Sequence, residues 1–401
     1  MFNIKTIVMK LKVFSFLSVL LLLLISCEMD SIESTTDLDA AKKSAIVYEE
    51  ASITSLQIES KSLANNLLGD PSTRNVNVYV PEGYNENPQR HYPVIYLLHG
   101  QPASETSLFY KEPFDVLISV AGLPPTIDFP EEGFLPWLNN LMATGGMEKT
   151  LIVMVDASTL FGLSHYTNSP THGDFETFIT KELVRFVDQH FRTIPNHKGR
   201  ALVGQCMGGY GALRLGMKYP SVFSNVAGLT PLEYTVEGIG LISQVMLFED
   251  QLFGYSGPTV PYNAYFPFKF MTSAMYGASA AWLPNPDNPP YYLDLPFSYA
   301  QDGTPILNEE RMQKFMDQQL INLVPEYEHG LKKLNSIYFD AGLYDELGLA
   351  QTNIALHNLM VDLGIDHEFE TYEGGHVSHI YSRFALALVH LSKKVTPPYN
   401  K

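Results

Sequence analysis

The stretch Arg200-Ala201-Leu202-Val203-Gly204-Gln205-Cys206-Met207-Gly208-Gly209-Tyr210-Gly211-Ala212-Leu213 decides how this chain is read. A short apolar run meets Gly204-x-Cys206-x-Gly208 and passes into a helix start built of small residues. That layout is a nucleophile elbow, with sulfur where the usual G-x-S-x-G carries a hydroxyl. The glycines have a steric reason. The nucleophile sits on a strained strand-to-helix turn, and larger residues two places before and after it would collide there. The turn lifts the side chain off the sheet and aims it at the positive end of the following helix, a setting that favours thiolate over thiol.

On either side of the elbow the chain alternates strands and helices. Residues 92–98 and 150–156 are continuous apolar runs of the kind that form buried parallel strands. Residues 56–63 and 75–80 alternate like half-buried strands, with Gly69-Asp70-Pro71 as the turn between them. Residues 175–191 carry apolar side chains at helical spacing. After the elbow helix, which runs through Lys218, strands are expected at 225–229, 336–340 and 368–372, and helices at 350–363 and 380–393. This rhythm predicts the α/β class, with a mostly parallel central sheet and helices on both faces. Residues 231–330 break the rhythm. They are rich in Tyr, Phe, Pro, Gly and Met and read as a cap inserted over the carboxyl edge of the sheet, with a helix over 308–323.

The chain has 401 residues, 45% of them apolar and 17% charged, enough for one large domain with a sizeable core. Its formal charge of −17 repels phosphates and anionic headgroups, and no basic run offsets it; nucleic acid is set aside as a partner. Lys5, Lys10 and Lys12 precede an apolar stretch over 13–26, too short for a comfortable membrane span. It ends in Leu24-Ile25-Ser26-Cys27, which resembles a bacterial lipobox. The expected organisation is a lipoprotein signal peptide over 1–26, a tether over 27–50 that begins at a lipidated Cys27, and a catalytic domain over 51–397. The protein is expected to be exported and held on a bacterial membrane by that lipid alone. Cys206 then has no partner for a disulfide, and an exported unpaired thiol is at risk of oxidation. Its place between glycines points to use rather than to an inert core cysteine.

Together the blocks at 78–84, 92–100, 175–193, 204–213 and 219–223, then 339–345 and Gly374-Gly375-His376, resemble the putative-esterase family of α/β-hydrolases. That family takes in feruloyl esterases, S-formylglutathione hydrolases and mycolyltransferases. The similarity covers roughly 56–391 and implies the α/β-hydrolase fold. It also implies a triad in the order nucleophile, acid, base, carried here by Cys206, Asp345 and His376. The residues agree with it. Asp345 lies just past a strand end, His376 on a loop after the last strand, and open α/β sheets gather ligands at the carboxyl ends of their strands. Asp345 also suits a helix N-cap, with Glu346 or Asp340 then supplying the acid.

The chemistry implied is covalent acyl transfer. His376 takes the thiol proton, Asp345 orients the ring, and the thiolate attacks an ester carbonyl. The oxyanion needs two donors. The amide of Met207 is the first and that of Gln101, after His99-Gly100, the second; Pro102 has no N–H to offer. His99 is read as shaping this loop rather than as a second base. The aromatics Phe266, Phe268, Trp282, Tyr291 and Tyr292 suit stacking on sugar rings or an aryl acyl group, and equally a core for the cap itself. Met207 and Tyr210 fit either a pocket wall or plain packing. His165, His172 and Asp174 fit no tight metal-ligand spacing, and no metal or cofactor is called for. The expected partner is a small-molecule or carbohydrate ester. Cysteine replaces serine in the elbow, so two further readings stand beside the hydrolase: a binding protein of hydrolase fold that lost its serine, and an acyltransferase.

Overall fold

The computed structural model describes residues 51–101, 104–106, 128–144, 146–253 and 269–395. Eight strands form the central sheet: β1 (Ser52–Glu59), β2 (Thr73–Val80), β3 (Val94–Leu98), β4 (Leu151–Val155), β5 (Arg200–Gln205), β6 (Asn225–Leu229), β7 (Ser336–Gly342) and β8 (Glu368–Tyr372). Their spatial order is β1-β2-β4-β3-β5-β6-β7-β8. The pairs β1–β2 and β2–β4 are antiparallel, and every pair from β4–β3 to β7–β8 is parallel. Strand β1 runs over 52–59 rather than the expected 56–63, because it pairs antiparallel along all of β2, with Ser52 opposite Val80 and Glu59 opposite Thr73.

The continuous apolar runs are explained by burial on both faces. Along β3, Val94, Tyr96 and Leu98 enter one core while Ile95 and Leu97 enter the other. The first core is closed by α3 (Met207–Lys218) and α8 (Leu349–Asp362), and by the helical segment 175–190 that ends in α2 (Val184–His190). The second is closed by α1 (Phe134–Ala143) and α9 (Ile380–Lys394). Each fully buried Leu, Ile, Val or Phe contributes about 1.5–3 kcal/mol here. The middle of the 175–190 segment, Phe178–Leu183, is π-helical rather than regular α-helix.

Between β6 and β7 the chain leaves the sheet and builds the cap: α4 (Val236–Phe253), α5 (Phe270–Trp282), a short hairpin of Phe297–Tyr299 with Pro305–Leu307, α6 (Glu309–Met316) and α7 (Leu320–Glu326). The single helix expected over 308–323 is two helices. Asn308 caps the first through its side chain. The break falls at Gln319, whose backbone is extended (φ −75°, ψ 144°) and whose Oε1 accepts the amide of Tyr234 at 2.9 Å. Among the described residues no helix is long and apolar enough to cross a membrane. The expected signal peptide, tether and Cys27 lie outside the described residues, as do Pro102, Phe266 and Phe268.

Candidate active site

The elbow has the geometry its glycines require. Strand β5 ends at Gln205, α3 begins at Met207, and Cys206 between them has φ 58° and ψ −119°. A non-glycine residue holds this left-handed φ only where its surroundings enforce it. A Cβ on Gly208 would stand 1.9 Å from the Leu98 carbonyl oxygen, and one on Gly204 2.4 Å from the Gly208 carbonyl carbon. Both positions are closed to any other residue. Cys206 is a free, buried thiol whose backbone is pinned: its N–H bonds the Leu229 carbonyl, and its carbonyl accepts from Tyr210 and Leu232.

Two other strand ends deliver the remaining groups to the same edge. The loop after β7 and the loop after β8 are joined by Leu343 N–H to the Tyr372 carbonyl (2.9 Å) and Tyr344 N–H to the Gly374 carbonyl (3.0 Å). This brings Asp345 Oδ2 to 2.8 Å from His376 Nδ1. Asp345 Oδ1 accepts the amides of Leu347 at 2.8 Å and Leu349 at 3.4 Å, so the carboxylate is a loop cap and the partner of the ring at once. Burial alone would push this carboxyl up, but the His376 ring and the two amides hold it below its ordinary value. Burial also opposes a charge on His376, yet Asp345 and then Cys206 raise the ring well above the ordinary histidine value. Cys206 stands close enough to that ring to act on its charge. The three groups expected from the sequence therefore meet.

The two alternative acids have other work. Asp340 accepts the Thr230 amide at 2.9 Å and is paired with Arg383, whose Nε is 2.9 Å away. Glu346 Oε2 accepts the backbone amide of His376 at 2.9 Å. Glu346 is a support that the sequence reading passed over, as are Tyr372, whose hydroxyl donates to the Gly375 carbonyl at 3.2 Å, and Gln205, whose amide touches the imidazole. The adjacency of Glu346 to Asp345 was the one local hint available for it.

The loop after β3 lies on the elbow: a Cβ on Gly100 would be 3.1 Å from Cys206 Cβ. His99 shapes that loop, as expected. Its Nδ1 meets the Gly100 carbonyl at 2.8 Å and its Nε2 accepts the Ala157 amide at 2.9 Å, and burial lowers its pKa. Gln101 follows at the tip. Its side-chain Nε2 donates to Ser273 Oγ of α5 at 2.8 Å, and Ser273 Oγ donates to the Phe161 carbonyl at 2.6 Å. Met207 is the first residue of α3, where helical geometry leaves the N–H free of the helix's own carbonyls.

Two of the cap aromatics, Trp282 and Tyr291, pack against other rings. Trp282 is buried among His165, Tyr210, Tyr234 and Phe315, and Tyr291 packs with Phe161 and Tyr276. Of the two readings for these rings, packing takes both: Trp282 joins the first core beneath the cap, and Tyr291 packs in a smaller cluster with Phe161 and Tyr276. Tyr210 is also packed, its hydroxyl donating to the Gln318 carbonyl at 2.7 Å. His165 and His172 are buried, and burial lowers them to about 3 and about 4.

A family model described as "Putative esterase" matches residues 71–392. Esterase Rv1288 of Mycobacterium tuberculosis is 30% identical over 155 residues, 38% of this chain and 28% of that protein. An endo-1,4-beta-xylanase/feruloyl esterase of Xylanibacter ruminicola is 28% identical over 151 residues, 37% of this chain and 18% of that protein. The chain thus spans 28% and 18% of the length of these two curated relatives. A solved ferulic acid esterase superposes with a TM-score of 0.55 and 18% identity, covering 86% of this chain and 99% of its own. That likeness shows the α/β-hydrolase fold.

Proposed function

Because the chain belongs to the putative-esterase family, we propose that it is a carboxylic-ester hydrolase working through a covalent acyl-cysteine. One observation carries the reading: a free thiol on the elbow is near enough to His376 to act on the ring's charge, and the same ring holds Asp345 at 2.8 Å from Nδ1. Cys206 is the nucleophile, His376 the base and Asp345 its orienting acid. The sulfur's proton passes to His376 Nε2, and the S–C bond forms as the carbonyl π pair moves to oxygen. The oxyanion is received by the amides of Met207 and Gln101, each donor typically worth about 3 kcal/mol of barrier. The tetrahedral species expels the alcohol, which takes the proton from Nε2. Water then gives its proton to the same nitrogen, attacks the thioester and releases the acid, and the sulfur regains a proton. The relative named as a feruloyl esterase supports an aryl or carbohydrate-linked ester as substrate. Lipidation at Cys27 would hold the domain at a bacterial membrane, facing the periplasm or the cell surface.

The test is turnover of p-nitrophenyl acetate by the full chain with and without iodoacetamide, beside Cys206→Ala and Cys206→Ser. We expect turnover that both alkylation and Cys206→Ala abolish. No turnover by the native chain, with activity gained in Cys206→Ser, would refute a working thiol on such esters. Added acceptor alcohols report acyl transfer in the same assay through ester products.

A further inference from the structure

Gln205 stands one residue before the thiol, and its buried side-chain amide lies between the imidazole and the loop after β3. Its Nε2 is 3.1 Å from His376 Nε2 and 3.3 Å from the His376 carbonyl oxygen, and its Oε1 is 3.1 Å from where a Gly100 Cβ would sit. The carbonyl contact decides which end of the amide faces the histidine. A carbonyl oxygen can only accept, so the NH2 end is there. One of its hydrogens serves the carbonyl and the other faces the ring. His376 Nε2 must then accept, which is the state of a neutral imidazole whose proton sits on Nδ1 and is donated to Asp345. On the reading above, that same Nε2 takes the proton of Cys206. The amide hydrogen and the thiol hydrogen therefore compete for one lone pair, and a protonated Nε2 would meet an N–H dipole head-on.

We infer that Gln205 is a positioning residue that holds His376 in its neutral tautomer and so restrains proton transfer from Cys206; the inference rests on the hydrolase reading. The restraint opposes Asp345 and Cys206, which both favour the charged ring. The other ionisable groups around His376 are Glu346 on its amide and, behind Gly375, Tyr372 with Arg383 and His379. None of them reaches the Nε2 side in these contacts. The benefit of such a restraint is chemical. Thiolate is the form that oxidants attack, and a thiol kept protonated between turnovers survives longer in an oxidising compartment.

The test is site-resolved alkylation of the full chain by iodoacetamide from pH 5 to 9, read by mass spectrometry on the Cys206 peptide so that Cys27 does not contribute. Gln205→Met keeps the length and removes both amide hydrogens; Gln205→Glu replaces the donor with an acceptor. We expect Gln205→Met to alkylate about fivefold faster at pH 6, the effect of one hydrogen bond. Its pH midpoint should move down, and that of Gln205→Glu further down. Midpoints unchanged or raised in both variants overturn the role of Gln205 alone. Ester turnover retained by Cys206→Ala overturns instead the hydrolase reading of the thiol. A native Cys206 that no pH renders alkylatable overturns both.

Discussion

At the scale of single residues, Asp345 has the most to lose. Its two oxygens are committed separately, Oδ2 to the ring and Oδ1 to the amides of Leu347 and Leu349. Asp345→Asn preserves the loop cap through its remaining oxygen but presents an NH2 to Nδ1, which forces the opposite tautomer. We expect turnover of p-nitrophenyl acetate to fall by about 10³–10⁴ with the melting temperature nearly unchanged. Glu346→Ala removes only the acceptor for the His376 amide. A loss of about five- to tenfold is expected, and Glu346→Gln, which still accepts, should recover most of it. Cys206, Asp345 and His376 were legible because the elbow motif and the family resemblance single them out, and patterning places each at or just past a strand end. Gln205 and Glu346 were not. Their partners lie 171 and 30 residues away, and no local pattern reports which carbonyl or ring a Gln or Glu will meet.

At the scale of elements, the elbow is held open by absent side chains. With the Leu98 oxygen 1.9 Å from a Gly208 Cβ, Gly208→Ala must push α3 off β3. We expect a loss of at least about 3 kcal/mol, seen as a lower denaturant midpoint. Gly240, in α4, has nothing within 4 Å of its Cβ position. Gly240→Ala should stabilise by about 0.5–1 kcal/mol in the same assay. The succession of most sheet strands and flanking helices along the chain was readable from apolar periodicity; their spatial order in the sheet and the helix α1 were not. The interior of the cap was not: a break such as the one at Gln319 depends on a partner, Tyr234, that approaches from another part of the chain.

At the scale of the whole molecule, buried ionisable groups set how stability depends on pH. His165 and His172 stay neutral in the fold down to about 3 and about 4, whereas an unfolded histidine takes up its proton near pH 6.5. The unfolded chain thus binds more protons below pH 6.5. The stability these rings retain at neutral pH is lost as pH falls from 6.5 toward about 4 for His172 and about 3 for His165, by several kcal/mol together. Glu233 runs the other way. Burial lifts it to about 8, so its contribution is full below the unfolded glutamate value of 4.5 and fades as pH rises toward 8. We expect a melting temperature that drops steeply below pH 6, and His165→Phe to flatten that drop by thermal melts across pH 4–7. From sequence the two histidines could only be weighed as metal ligands. Their ring nitrogens include three buried atoms without a hydrogen-bond partner among the described residues. Only the packed cap makes that visible.

The bond from Gln101 to Ser273 fastens the loop over the thiol to a helix of the cap. Roof and floor are one mechanical unit. An engineer who deletes α5 to admit a bulkier ester would also cut the tether of the backbone proposed to receive the negative charge. Wider access and intact chemistry can be had together only by trimming elsewhere, or by giving Gln101 a new anchor first.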